Sequence, residues 1–228
     1  MSANGLGQVW YMRIDKERFI DINKIYEFYG PNVCNIILAF HGLTGCDTTS
    51  YPFSCGKIKP FKKMIQQNKF NLIEHFGLTS PYDNNDFNDA LKFFQTVIYN
   101  GSDSESLLHT RIAMYEKQKE KSSLRLIPDM SSCGEHVKRA WLQTNTWLQC
   151  MKRVISHADP MNYGWQQTEK GLKPIWFTCS QLPPSLQTKQ RKRRKDRQNN
   201  DIEGWFYDSM SYFAGDKSDV CHHHNFSV

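Results

Sequence analysis

The chain has 228 residues and a formal net charge of +6, with 39% of its residues apolar and 13% aromatic. That apolar and aromatic share excludes a wholly disordered chain, and the length suffices for one sizeable domain, alone or with a smaller extension. The charge excess has a single source: Lys189–Gln198 (KQRKRRKDRQ) holds seven Lys/Arg and one Asp, so a neutral body carries a cationic tail.

Seven cysteines (Cys34, Cys46, Cys55, Cys133, Cys150, Cys179, Cys221) are scattered, odd in number and without a C-x-x-C pair. The opening MSANGLGQVW has no apolar h-region. The longest uninterrupted apolar stretch, Ile36–Phe40, is far short of the ~20 residues of a membrane span. Free thiols, a soluble intracellular protein and no membrane partner are the expectation.

In chain order, Val9–Ile14 and Arg18–Ile22 are short aromatic and β-branched runs around the turn-like Asp15-Lys16-Glu17, which predicts a β-hairpin. Asp21 can cap a helix with Ile22, Ile25, Tyr26 and Tyr29 at helical spacing, stopped by Gly30. Pro31 then suits the first turn of a second, buried helix, Asn32–His41, which ends in Gly42-Leu43-Thr44-Gly45. A basic helix over Ile58–Gln67 and a short one over Leu72–Phe76 follow. Asp83/Asn84 open a helix with Phe87, Leu91, Phe94 and Ile98 inward, broken at Asn100-Gly101. Asp103 or Ser104 caps the next, whose stripe is Leu108, Ile112 and Tyr115. After a linker, Glu120–Ser132, the longest helical pattern is Glu135–Ile155, with Val137, Trp141, Thr144, Leu148, Met151 and Ile155 in one stripe. Tyr163-Gly164-Trp165 and Ile175–Thr178 read as a small strand-bearing cap, and the chain from Leu182 onward as a disordered tail. The fold class is mostly α with a small β portion.

One stretch concentrates the chemistry: Phe40–Lys63, FHGLTGCDTTSYPFSCGKIKPFKK. Asp47 has two readings. It is either a turn or cap residue bonding nearby N–H groups, which spacing alone favours, or a metal-binding carboxylate whose ion activates water for phosphodiester attack. A Mg²⁺ site needs several converging carboxylates, so one Asp does not make it. Gly56 opening a helix that carries Lys57, Lys59, Lys62 and Lys63 suits a nucleic-acid backbone, because helix N-termini and lysines attract phosphates without reading bases. The rival is a solvated helix face, and the two stand even.

HGLTGCDTTSYPF-x-x-GK closely resembles the HALTGCDTTS-x-F-x-GKGK signature of a mobile-element-associated group of proteins expanded in invertebrate and fish genomes. Leu126–Gln149 is similar to a second block of that group, and Gly164-Trp165 with Gly171–Thr178 and Gln181-Leu182-Pro183-Pro184 to a third, so the resemblance spans roughly Val9–Pro184. The group in turn resembles the flap-endonuclease/XPG branch of PIN-like nucleases. That resemblance implies a truncated α/β PIN-like fold in residues 1–80, a helical extension with a strand-bearing cap in 81–180, and a disordered basic tail in 181–228. It makes Asp47 the catalytic, Mg²⁺-holding Asp of a Gly-Cys-Asp turn and Gly56 the second glycine of a DNA-gripping hairpin. Thr48 stands where the nucleases have Tyr, Ser54 replaces the first hairpin glycine, and Pro60 falls near an Ala. The relatives' other acidic motifs precede this stretch and are absent here, and the acids that remain read as turn, cap and helix-start residues. The expectation is therefore the C-terminal part of a metal-dependent DNA hydrolase, inactive alone. Asp47 should lie at the edge of a sheet remnant, beside exposed apolar faces of the first two helices. The class-different alternative is a non-catalytic nuclear scaffold that binds DNA or protein.

His41 reads first as the cap of a buried helix end, with a phosphate contact as the rival. Trp141 reads as core, and Trp147 as core or as packing on a Trp165/Trp176 cap, with base stacking open. Cys221-His222-His223-His224 reads as incidental composition. For Lys189, Arg191, Lys192, Arg193, Arg194, Lys195 and Arg197, nuclear localisation leads. Non-specific nucleic-acid contact and a plain solvated tail remain open.

Overall fold

The aromatic opening pairs as predicted. β1 (Trp10–Arg13) and β2 (Arg18–Asp21) form an antiparallel sheet with Trp10 opposite Asp21. The structure is a computed structural model that describes residues 7–13, 17–52, 55–78, 84–117, 126–156 and 158–179. Asp21 ends the hairpin and caps α1 (Ile22–Leu43), accepting from the N–H groups of Asn23 (3.0 Å) and Lys24 (3.3 Å). The two helical segments expected on either side of Gly30-Pro31 are present within α1, separated by a break at Gly30. Gly30 takes φ 76°, ψ 172°, which glycine tolerates, and Pro31 needs no N–H in the first turn after the kink.

After α2 (Ile58–Gln66) and a 3₁₀ turn, Phe70–Leu72, α3 (Asn84–Phe93) widens into a π-helical turn, Phe94–Ile98, whose residues are all buried. The turn buries the Gln95 amide, which donates to Thr110 Oγ1 (2.7 Å) and to the carbonyls of Glu105 and Ser102. That network decides how α4 (Leu107–Lys117) docks. Leu107 and Thr110 face inward, while the expected apolar stripe Leu108, Ile112 and Tyr115 lies exposed. The cap also differs from expectation: Ser106 Oγ accepts from the His109 N–H (3.2 Å), and Asp103 instead pairs with Lys69 at 2.6 Å.

The longest helix, α5 (Met130–Leu148), starts within the expected linker because Asp129 caps it, accepting from Ser131 and Ser132 N–H at 3.0 and 3.2 Å. It stops short of Ile155. The Gln149 side chain accepts from the Ser156 N–H (3.0 Å), and Met151 and Ile155 are exposed. β3 (Trp165–Thr168) pairs antiparallel with β4 (Gly171–Pro174), so the cap's second strand precedes the expected Ile175–Thr178. Ile175 marks the strand's end: its N–H donates to Gly164 O (2.8 Å) and its carbonyl accepts from Arg139 (2.5 Å). Arg139 is buried and lies over Trp176, and its burial pulls its pKa down to about 10 against the opposing charge of Glu135.

α1 and α5 form the spine of the core. They approach closely at Gly42, where a Cβ would lie 2.9 Å from Thr144 Oγ1 and 3.2 Å from Ala140 O. Around them Leu43, Met64, Phe93, Ile127 and Cys133 are fully buried in one cluster that draws on both sides of residue 80. Trp141 joins this core as expected, stacked on Tyr163 at 4.9 Å. The chain is thus mostly helical, with two small antiparallel sheets of two strands each among the described residues. Among those residues no helix is long and apolar enough to cross a membrane.

Candidate functional site

The Gly-Cys-Asp turn is built from the end of α1. Thr44 closes the helix, its Oγ1 donating to Phe40 O at 2.7 Å. Gly45 follows at φ 99°, and the ring and Cα of Tyr51 occupy the space a Cβ would need (2.6–2.8 Å), so this position admits only glycine for two reasons. Cys46 and Thr49 then exchange backbone bonds as an isolated bridge. The Cys46 N–H also donates to Thr49 Oγ1 (3.0 Å), and Thr49 Oγ1 donates to Gly42 O (2.8 Å). Thr48 ties the turn to α5 by donating to Gln143 Oε1 at 2.5 Å. Gly42–Cys46 and Thr49 are buried, whereas Asp47 and Thr48 at the apex are exposed. The result is a turn held on all sides with one carboxylate facing water. Asp47 belongs to neither sheet, contrary to the expectation of a sheet edge; among the described residues the strand-like pairing here is the turn's own bridge.

Around the apex sit His41, Tyr51, Lys57 and Trp147. The Lys57 ammonium donates to Gly45 O (2.5 Å) and to His41 Nδ1, and lies 5.7 Å from the centre of the Tyr51 ring. Accepting at Nδ1 places the His41 proton on Nε2. Burial and the Lys57 charge lower the His41 pKa, against the opposing Asp47, so the ring is neutral at pH 7. Burial likewise lowers the Lys57 pKa, with Cys46 and Asp47 opposing, and raises that of Tyr51, with Asp47 and Cys46 adding to the rise. His41 is exposed rather than sealing a buried helix end. Its ring meets Trp147 of α5 at 5.4 Å and 35°, so Trp147 is half-buried against the end of α1 and lies outside the core cluster.

The four lysines divide in two. Lys57 is tied to the turn, and Lys63 donates to Thr96 O (2.6 Å) and to Asn100 Oδ1, locking α2 onto the π-helical turn. Lys59 and Lys62 are exposed and have no partner among the described residues. Gly56 is exposed with open space around it, and no side chain caps the start of α2. Among the described residues no group of three or more His, Cys, Asp or Glu gathers where an ion would sit. A Mg²⁺ ion at Asp47 would therefore need further oxygen donors. Ser54, the Lys189–Arg197 cluster and Cys221–His224 lie outside the described residues.

Gln143 carried no signal in sequence, and Tyr51 only its place within the motif. The one clue to Gln143 reaching the turn is small residues at helical spacing (Gly42; Ala140 and Thr144), which let α1 and α5 approach closely. No family model, curated protein or solved structure matches the chain.

Proposed function

We propose that this chain is the nucleic-acid-holding, C-terminal part of a PIN-like, flap-endonuclease-like protein associated with mobile elements. Asp47 is one carboxylate of a Mg²⁺ site whose other ligands come from elsewhere, and its ancestral chemistry is metal-assisted phosphodiester hydrolysis. One observation carries this reading: a turn braced through Thr49, Gly42, Gln143 and Lys57 presents a single exposed carboxylate at its apex. Preorganisation of that kind is what an ion-binding carboxylate needs, and an ordinary surface turn does not need it. The exposed Lys59 and Lys62 lie within a turn and a half of Lys57 and supply phosphate contacts. The basic run Lys189–Arg197 directs the protein to the nucleus and adds weak, salt-sensitive binding.

The test is incubation with 5′-flap and single-stranded DNA in Mg²⁺ or Mn²⁺. The expected outcome is binding without cleavage; cleavage that disappears in Asp47→Ala would show the chain to be an enzyme by itself. A second reading, a non-catalytic nuclear scaffold, draws on the exposed Trp10, Tyr11, Phe19 and Phe28 at the other end of α1, which suit a protein contact. It predicts that Asp47→Ala leaves Mn²⁺ binding unchanged.

A further inference from the structure

The end of α1 gathers three aromatic rings, two of them in contact with one cation. Tyr51 is 55% exposed and packed on Gly45, His41 is exposed and takes Lys57 at Nδ1, and Trp147 lies against His41. Trp147 comes from a helix far along the chain, so the grouping is a product of the α1–α5 packing and not of local sequence. Interactions of defined geometry hold the rings, and none of the three belongs to the buried core cluster.

We propose that Tyr51, His41 and Trp147, with Lys57 between the first two, are a stacking surface for the unpaired bases of single-stranded nucleic acid. The proposal rests on the nucleic-acid reading above and narrows its substrate to single strands. Aromatic faces beside a positive groove are how sequence-tolerant single-strand binders work, since every base has a π-face and a duplex hides it. The two parts of the ligand fall to different residues. Bases meet the exposed faces of Tyr51 and His41. The exposed Lys59 and Lys62, further along α2, take the backbone. Sequence preference is expected to be weak, because stacking uses the π-face that every base has.

The experiment uses the full chain with three labelled probes: an oligothymidylate, an abasic strand of equal length and charge, and a duplex. The expected result is that the unaltered protein binds the base-bearing strand about 10-fold more tightly than the abasic one, and more tightly than the duplex. Trp147→Ala and Tyr51→Leu should each remove most of that difference while leaving abasic binding unchanged. Equal affinity of the unaltered protein for base-bearing and abasic strands would overturn the stacking surface, and this comparison needs no substitution that might unfold the chain. The nucleic-acid reading is tested separately. Lys59→Ala with Lys62→Ala should reduce the salt slope of single-strand binding by about 1.4. An unchanged slope with abasic binding intact would move the phosphate contacts elsewhere and leave the stacking intact, whereas no binding to any probe would overturn both.

Discussion

The two ends of α1 are made of the same helix and treated very differently. At the C-terminal end Gly42 and Leu43 are sealed against α5, and side-chain bonds tie the following turn back to the helix and across to Gln143. At the N-terminal end the hairpin and the first turns of α1 are held mainly by Asp21 and by the Val9–Asn23 and Val9–Ile22 bonds. There Phe28 is 80% exposed, and Trp10, Tyr11, Met12 and Phe19 also face solvent. The resemblance led to exposed apolar faces beside Asp47 on both segments of α1; the first segment exposes Ile22, Ile25, Phe28 and Tyr29, but at the end of α1 away from Asp47, and the second segment buries Val33, Ile36, Ala39 and Phe40. The difference teaches that a helix's own sequence sets where it forms, whereas long-range partners set which end becomes a fixed site.

Four experiments would break or sharpen this contrast. The largest effect is expected at the α1–α5 contact: Gly42→Val drives a side chain into Thr144 and the Ala140 carbonyl and should cost about 3 kcal/mol in denaturant unfolding. Nearly as large is a pH effect at the same contact. His136 donates from Nε2 to Leu43 O (2.9 Å) beside Phe94, and burial, with a smaller contribution from Arg139, lowers its pKa to about 4 despite that bond. Above pH ~6.5 the group is neutral whether folded or unfolded and stability is full. As pH falls from 6.5 toward 4 the unfolded chain takes up a proton that the folded one refuses, so stability should drop by about 3 kcal/mol and then level off. His136→Gln should flatten that part of the stability–pH curve, and an unaltered slope would assign it to other groups.

Smaller again, Thr49→Val removes the donor to Gly42 O and the acceptor for Cys46 N–H, and should cost about 2 kcal/mol by thermal unfolding. At the other end of α1, Phe28→Ser should change stability by no more than about 0.5 kcal/mol and improve solubility. A loss there as large as at Gly42 would show the hairpin end to be part of the core.

What could be read from sequence follows the same division. The hairpin, the Asp21 cap, the Gly30 break and Trp141 in the core all come from signals within a few residues, and the structure has them. The face of α4 is not legible in its apolar stripe, Leu108, Ile112 and Tyr115, because a buried polar pair, Gln95 with Thr110, outweighs it and apolar periodicity does not register such a pair. The sequence places the start of α5 too late, because Asp129, directly after Pro128, reads as linker although it is the cap. The candidate site was half legible. The HGLTGCD stretch marked His41 and Asp47, but Gln143 and Trp147 reach it only through the packing of two helices distant in sequence.

The most direct test of the account is paramagnetic: amide NMR spectra of the full chain titrated with Mn²⁺, compared with those of Asp47→Ala. Signals of Gly45–Thr48 should broaden at weak, millimolar occupancy, those of β1 and β2 should not, and the broadening should vanish in the variant. Broadening that is absent from the turn, or that persists unchanged without the Asp47 carboxylate, would contradict the claim that this end of α1 is built to hold an ion.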